Sequence, residues 1–278
     1  MGQKHKWADI PAGFDTPLSY AVSARDRSVL DMVNQAVHHK QVLLAYQAVV
    51  PARQQDRPAF YEGLIRVLDA TGRVIPAKDF ITQIEVTETG RIIDCLALEK
   101  GLRTLINYPD LRLAINMSAR SIGYSRWMRT LKKGLSDDPT IGERLILEIT
   151  ESSAMLVPEL VTGFMKELQA KGISFALDDF GAGYTSFRFL KEFYFDILKI
   201  DGQFVRGIAT DPDNQVLTAA LASIGQQFDM VTVAESVEKP EDAAYLAALG
   251  IDCLQGYYFG APTVRPPWID SALDRATA

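Results

Sequence analysis

Histidine is scarce in this chain. The three in 278 residues, His5, His38 and His39, fall in the N-terminal stretch and the first expected helix. Zinc sites and histidine-based hydrolase sites need imidazoles at the functional positions, so both are disfavoured. Cysteine is rarer still. Cys95 and Cys253 lie far apart inside apolar segments and read as buried free thiols in a reducing cytoplasm, not as a disulfide. No apolar run reaches the roughly eighteen residues of a membrane span. The opening MGQKHKWADIPAGFD lacks the apolar middle of a signal peptide. Basic charge is also short: the net charge is -6 and the pI is near 5.2. That argues against a long nucleic acid as partner and leaves room for a small anion held through metal.

What the chain does have is a repeated ending. Seven apolar runs, AFYEGL, LRLAIN, LILEITE, FALDDFG, ILKID, VTVAES and CLQGYYF, each carry polar groups at or near their close. These groups are Glu62, Asn116, Glu148, Asp178, Asp179, Lys199, Asp201, Glu235 and Gln255. Strands that all deliver such side chains to one rim would assemble a centre rich in carboxylates.

Residues 1–22 show no periodicity and read as an arm, followed by one barrel domain over residues 23–278. A helix is expected from Ser23, with Val29, Met32, Val33, Ala36 and Val37 on one face. QVLLAYQAVV and AFYEGLIRV read as strands joined by a polar stretch from Pro51 to Pro58. That link is too short for a parallel crossover, so the two should form an antiparallel hairpin. Beyond it strands alternate with helices: DCLALEKGLRTLIN, LVTGFMKELQAKG, NQVLTAALASIGQQF and PEDAAYLAALG. Alternating elements imply a parallel sheet under helices. With about eight strands in one domain the expected fold is a closed α/β barrel, (β/α)8 and TIM-like, with chemistry at the C-terminal strand ends.

Glu62, Asn116, Glu148, Asp178 and Asp179 offer only oxygen, the donor set of Mg²⁺ and Mn²⁺. The adjacent Asp178 and Asp179 at a strand-to-loop turn suit two metals, which together can hold a phosphate, activate a water and stabilise a leaving oxygen. Lys199 and Asp201, two apart, should share a strand face. Glu235 is placed to act as a general base or a second-metal ligand. Glu238 either joins the site or caps the next element. DDFGAGYTS is a Gly-rich loop without the GK[ST] of a nucleotide P-loop.

Taken together, YQAVV, YEGLIRV, INMSARS, LILEITES, LDDFGAGYTSFRFLKEFYFDILKID, VAESVE and LGIDCLQGYYFGAP resemble the EAL-domain cyclic di-GMP phosphodiesterases from about Leu43 to Pro262. The resemblance implies a barrel whose first strand runs antiparallel and a hydrolase that opens cyclic di-GMP to linear pGpG with two Mg²⁺ or Mn²⁺ ions. It casts Glu62, Asn116, Glu148 and Asp178 as ligands of one metal and Asp178 and Asp179 as ligands of the other. Lys199 and Glu235 handle the water. Leu64 and Arg66 contact substrate, with Arg66 on a phosphate, and Gln47, Asp179, Glu238, Gln255 and Tyr257 fall at further pocket positions. Glu151 anchors the Gly-rich loop, which with its following helix, SFRFLKEF, often joins a homodimer interface.

The chain departs from that pattern at Ala48 (for proline), Gly63 (alanine), Ala182 (threonine) and Ser236 (glycine). Gly63 should point away from the metal face and weaken its strand by roughly 0.5–1 kcal/mol relative to alanine. The rival readings are a catalytically weak or inactive cyclic di-GMP receptor and an interaction scaffold. A complete metal set favours the enzyme.

Overall fold

The computed structural model describes residues 29–69, 71–183 and 190–269. The expected arm and the helix start at Ser23 lie outside the described residues, as do residues 184–189, which fall within the loop and helix expected at a dimer interface. Residues 29–38 are helical, with Val33, Ala36 and Val37 buried.

Nine strands follow: β1 (Val42–Pro51), β2 (Phe60–Leu68), β3 (Val74–Pro76), β4 (Leu113–Asn116), β5 (Leu145–Thr150), β6 (Ser174–Phe180), β7 (Ile197–Ile200), β8 (Val231–Ala234) and β9 (Cys253–Gln255). Eight close a ring in the order β1-β9-β8-β7-β6-β5-β4-β2, with β2 pairing back to β1. β1 is antiparallel to both of its neighbours, and every other pair in the ring is parallel. The fold is thus the expected TIM-like barrel with an inverted first strand. β3, which the sequence reading missed, pairs only with the last three residues of β2.

The helices that cover the ring start and stop on local signals. Asp211 caps Pro212–Gln227 by accepting from the backbone N–H groups of Asp213 and Asn214. Proline opens the helices Pro158–Gln169 and Pro240–Leu249, where its missing N–H has no partner to lose. Gly250, at φ 95°, ends the latter in the left-handed region. The helix Glu88–Asn107 begins a turn and a half before the expected DCLALEKGLRTLIN. The β-branched residues of FITQIEVTETG hide that start, and also a short helix at Ile81–Ile84.

Three apolar clusters hold the molecule. Two lie between barrel and helices. The third fills the barrel axis with one residue from each ring strand: Val49, Phe60, Ala114, Ile146, Ala176, Ile197, Val233 and Cys253. Gly63 faces outward, as alternation requires, but into a crowded place. A Cβ there would lie 2.8 Å from Ile115 Cδ1, which also fills the space that a Cβ at Gly101 would need. The glycine makes room for Ile115, so the expected gain from alanine gives way to overpacking.

Candidate functional site

The axial plug positions the site. Side chains on one face of a strand recur every second residue. Two residues beyond the plug, toward the C-terminal rim, the parallel ring strands and β2 bring Glu62, Asn116, Glu148, Asp178, Lys199, Glu235 and Gln255 to the same interior layer. β1 runs the other way, so its contribution, Gln47, comes two residues before Val49 and directly opposite Glu62 in the ladder. Eight strands therefore supply eight polar side chains to one level.

At the centre of that level is Lys199, 1% exposed. Its Nζ lies 2.8 Å from Glu235, 2.9 Å from Asp178, 3.1 Å from Glu148 and 3.5 Å from Glu62. This is a four-carboxylate cage around one ammonium, well beyond a plain salt bridge. Burial disfavours the charged amine, but the surrounding carboxylates, Asp178 and Glu148 foremost, overcome it and hold Lys199 well above its ordinary range. Glu62 follows a similar contest. Burial pushes its carboxyl up, while Lys199 and hydrogen bonds from Gln255 (2.6 Å) and Asn116 (2.7 Å) bring it below the usual value. Gln47 accepts from Gln255 Nε2 at 3.2 Å and donates to the Gly260 carbonyl at 3.0 Å, which steadies the amide serving Glu62.

The other carboxylates are not fully compensated. Burial and the neighbouring Glu62 raise Glu148 well above the ordinary carboxylate range. Glu235 is pushed up to about 8, chiefly by burial. Asp179 rises to about 6 through burial and the adjacent Asp178. Glu148 Oε1 is buried and has no hydrogen-bond partner among the described residues. Carboxylate oxygens of Asp178, Asp179 and Glu235 gather within 4.8 Å of one another. An excess of buried negative oxygen, one atom of it orphaned, fits a divalent cation.

Asp178 and Asp179 share this centre because β6 breaks its register. The pairing with β7 shifts between Leu177 and Phe180, and Asp179 takes φ 55°. Plain alternation would send the two carboxylates to opposite faces; the irregularity turns both inward. Beside them Glu151, 2% exposed, accepts from the Gly181 backbone N–H at 3.1 Å, tying the loop after β6 to the end of β5.

A cleft of about 790 Å³ opens above the layer, lined by Leu64, Arg66, Glu238 and Tyr257 together with Gln47, Glu62, Glu235 and Gln255. Two sequence expectations change here. Asp201 is not on the strand face of Lys199: β7 ends at Ile200, and Asp201 caps the next helix, Gly202–Val205, by accepting from Gln203 N at 2.7 Å. Glu238 makes no cap to the helix Pro240–Leu249; its carboxylate lies 3.7 Å from Arg206 on the cleft wall. Arg206 itself escaped the sequence reading, because it sits beyond the strand-end pattern, at the C-terminal end of a one-turn helix.

A match to the EAL domain family spans residues 30–262. The chain is 29% identical over 248 residues to "Cyclic di-GMP phosphodiesterase PdeF" of Escherichia coli (strain K12), covering 88% of this chain and 32% of that protein. It is 29% identical over 241 residues to "Bifunctional diguanylate cyclase/cyclic di-GMP phosphodiesterase MucR" of Pseudomonas aeruginosa, covering 84% of this chain and 35% of that protein. It thus spans about a third of the length of these curated relatives. Among solved structures, "PaMucR Phosphodiesterase, c-di-GMP complex" superposes with a TM-score of 0.74 at 28% identity, over 85% of this chain and 97% of that one. With the barrel, its inverted first strand and the polar layer in place, the chain belongs to the EAL domain family.

Proposed function

We propose that this domain hydrolyses cyclic di-GMP to linear pGpG. The observation that carries the reading is the layer of eight polar side chains, four of them carboxylates around Lys199, set under an open cleft. Hydrolysis adds one water across a P–O3′ bond, leaving a 5′-phosphate and a 3′-hydroxyl. Two ions of Mg²⁺ or Mn²⁺, held by Glu62, Asn116, Glu148, Asp178 and Asp179, would supply Lewis-acid polarisation of the phosphate and a more acidic water.

The chain's own residues do the rest. Glu235 Oε1 takes the proton of the attacking water, a task suited to a carboxylate whose pKa is raised by burial. Lys199 Nζ, 2.8 Å from that oxygen, orients it and stabilises charge growing on the phosphate oxygens. Arg66, half-buried on the cleft wall, faces a phosphate. Leu64 and Tyr257 offer apolar and aromatic surface to the bases, and Gln47 and Gln255 hold Glu62 in register. The setting we assign is cytoplasmic, in line with two buried thiols whose pKa burial lifts to about 11. The working form we assign is a homodimer joined near the loop after β6.

Incubation with cyclic di-GMP and Mg²⁺ or Mn²⁺, followed by nucleotide chromatography, should yield pGpG, and excess EDTA should stop it. Ca²⁺ should support binding with little turnover, because its looser coordination holds a two-metal geometry poorly. Full activity in EDTA overturns metal dependence. Binding without turnover in both Mg²⁺ and Mn²⁺ makes the domain a receptor. Sedimentation with ligand present tests the dimer.

A further inference from the structure

Ser236 occupies a backbone position that side chains rarely take. It follows Glu235 at the end of β8 with φ 57°, in the left-handed region where a residue with a Cβ is disfavoured. Strain of this kind persists where the surroundings enforce it, and it tends to mark functional sites. Here the side chain has a place and a partner. It lies over Gly202, where an added Cβ would sit 2.3 Å from Ser236 Oγ and 2.5 Å from its Cβ. The absence of a side chain at 202 is what admits the serine. Its Oγ accepts a hydrogen bond from Arg206 Nη2 at 3.0 Å.

Arg206 is held from behind as well. Asp201 caps the turn that leads to it, and Thr218 Oγ1 donates to the Phe204 carbonyl at 3.1 Å. The following Gly207, at φ 72°, is clamped by Asp242, a buried carboxylate that accepts from Gly207 N (3.2 Å) and Ala209 N (3.0 Å). The backbone under Arg206 is therefore fixed on two sides while its side chain, 57% exposed, reaches the cleft. Among the described residues that guanidinium has two partners, Ser236 and Glu238. Neither of these two contacts uses Nη1.

We infer that Arg206, positioned by Ser236, reads the guanine base of the bound dinucleotide. This rests on the cyclic di-GMP reading above. The choice of base over phosphate comes from the neighbour. Arg206 Nε lies 3.7 Å from Glu238 Oε1, and an anionic phosphate at that spot would meet the carboxylate. Guanine instead presents acceptors, O6 and N7, to an arginine fork, and donors, N1–H and N2–H, on the adjoining edge to a carboxylate. Placement agrees: Glu235 and Lys199 mark the phosphate centre, Arg206 and Glu238 stand further out on the cleft wall, and the bases of a cyclic dinucleotide project outward from its phosphates. Arg206 is thus a binding residue and Ser236 a positioning residue that acts through it.

The test is calorimetric binding to the full chain in Ca²⁺, using cyclic di-GMP and its 7-deazaguanine analogue, which lacks the N7 acceptor but keeps both phosphates. The parent should bind the analogue several-fold more weakly. Arg206→Ala should lose about ten-fold on cyclic di-GMP, the scale of one bidentate guanine contact, and should bind the two ligands alike. Ser236→Ala should lose less, and Arg206→Ala with Ser236→Ala should match Arg206→Ala alone, a non-additivity that a purely structural serine would not produce. An equal loss on both ligands for Arg206→Ala makes Arg206 a phosphate contact and overturns the inference, as does unchanged affinity for both. A parent that binds neither ligand overturns the cyclic di-GMP reading as well, and so is distinct from a parent that binds both while Arg206 is indifferent.

Discussion

Two layers of the barrel interior, two residues apart on the same eight strands, follow opposite rules. The lower layer is Val49, Phe60, Ala114, Ile146, Ala176, Ile197, Val233 and Cys253, apolar throughout and packed on itself. The upper layer is Gln47, Glu62, Asn116, Glu148, Asp178, Lys199, Glu235 and Gln255, nearly as buried and polar or charged throughout. One gains by leaving water and the other loses by it. The lower layer is the reason the upper one can exist: it fixes strand spacing and register so tightly that carboxylates are held close together against their repulsion. Stability is concentrated in one layer and uncompensated charge in the next.

Removing the one cation of the upper layer should break that arrangement most severely. Lys199→Ala leaves four carboxylates facing one another, and unpairing buried charge costs about 3–5 kcal/mol. Urea unfolding in EDTA reads the loss, and Mg²⁺ or Mn²⁺ should return part of it. An unchanged midpoint would show that the carboxylates simply take up protons.

The lower layer should respond to volume alone. Ile197→Ala opens a cavity beneath Lys199 and should cost about 2–4 kcal/mol while leaving the metal-induced rise in melting temperature within a few tenths of the parent's own shift. If that rise disappears, the layers are not separable.

Asp94 sharpens the comparison from outside the barrel. It is a buried carboxyl that accepts from Ser118 N (3.0 Å) and Ser121 Oγ (2.5 Å), and burial pushes it up to about 7. The folded protein therefore keeps a proton that the unfolded chain has lost between about pH 4 and 7. This contribution to stability is full at low pH, declines as pH rises through that window and is flat above it. The slope is at most about 1.4 kcal/mol per pH unit. Asp94→Asn removes the decline, so its stability relative to the parent should grow from pH 5 to pH 7.5. Parallel curves would refute the assignment.

The smallest effect is expected at Gly63. Gly63→Ala presses on Ile115 Cδ1 and should cost about 1 kcal/mol, and Ile115→Val should relieve it. The proposed cleavage of cyclic di-GMP should stay within a few-fold of the parent's, since position 63 points away from the upper layer. A more stable alanine variant would mean that Ile115 has room to turn.

The upper layer was almost entirely legible from the sequence because a strand repeats every two residues. An acid or amide closing each apolar run is enough to mark Glu62, Asn116, Glu148, Asp178, Glu235 and Gln255. The closed barrel followed from alternating elements, and the hairpin from a short link. What could not be read depends on contacts across the chain. That Asp178 and Asp179 meet at one centre was expected from the strand-to-loop turn, but the lost register with β7 that brings it about was not visible. The cage around Lys199 needs four strands in place, and Asp201 left its expected face because a capping hydrogen bond won over strand continuation. The Asp242 clamp behind Arg206 joins segments 33 to 35 residues apart, with no periodicity to announce it. β3 is three residues long, too short for any alternation to be visible.

The inverted first strand reverses where the chain meets the barrel. In an all-parallel ring the polypeptide enters from the floor, opposite the mouth. Here Val42 pairs with Val67 and Leu43 with Arg66, near the upper end of β2, so whatever precedes β1 arrives at the level of the mouth. A pull or twist on the helix at residues 29–38 reaches the rung beside Arg66 before it reaches the floor. The barrel has its handle on the same side as its opening.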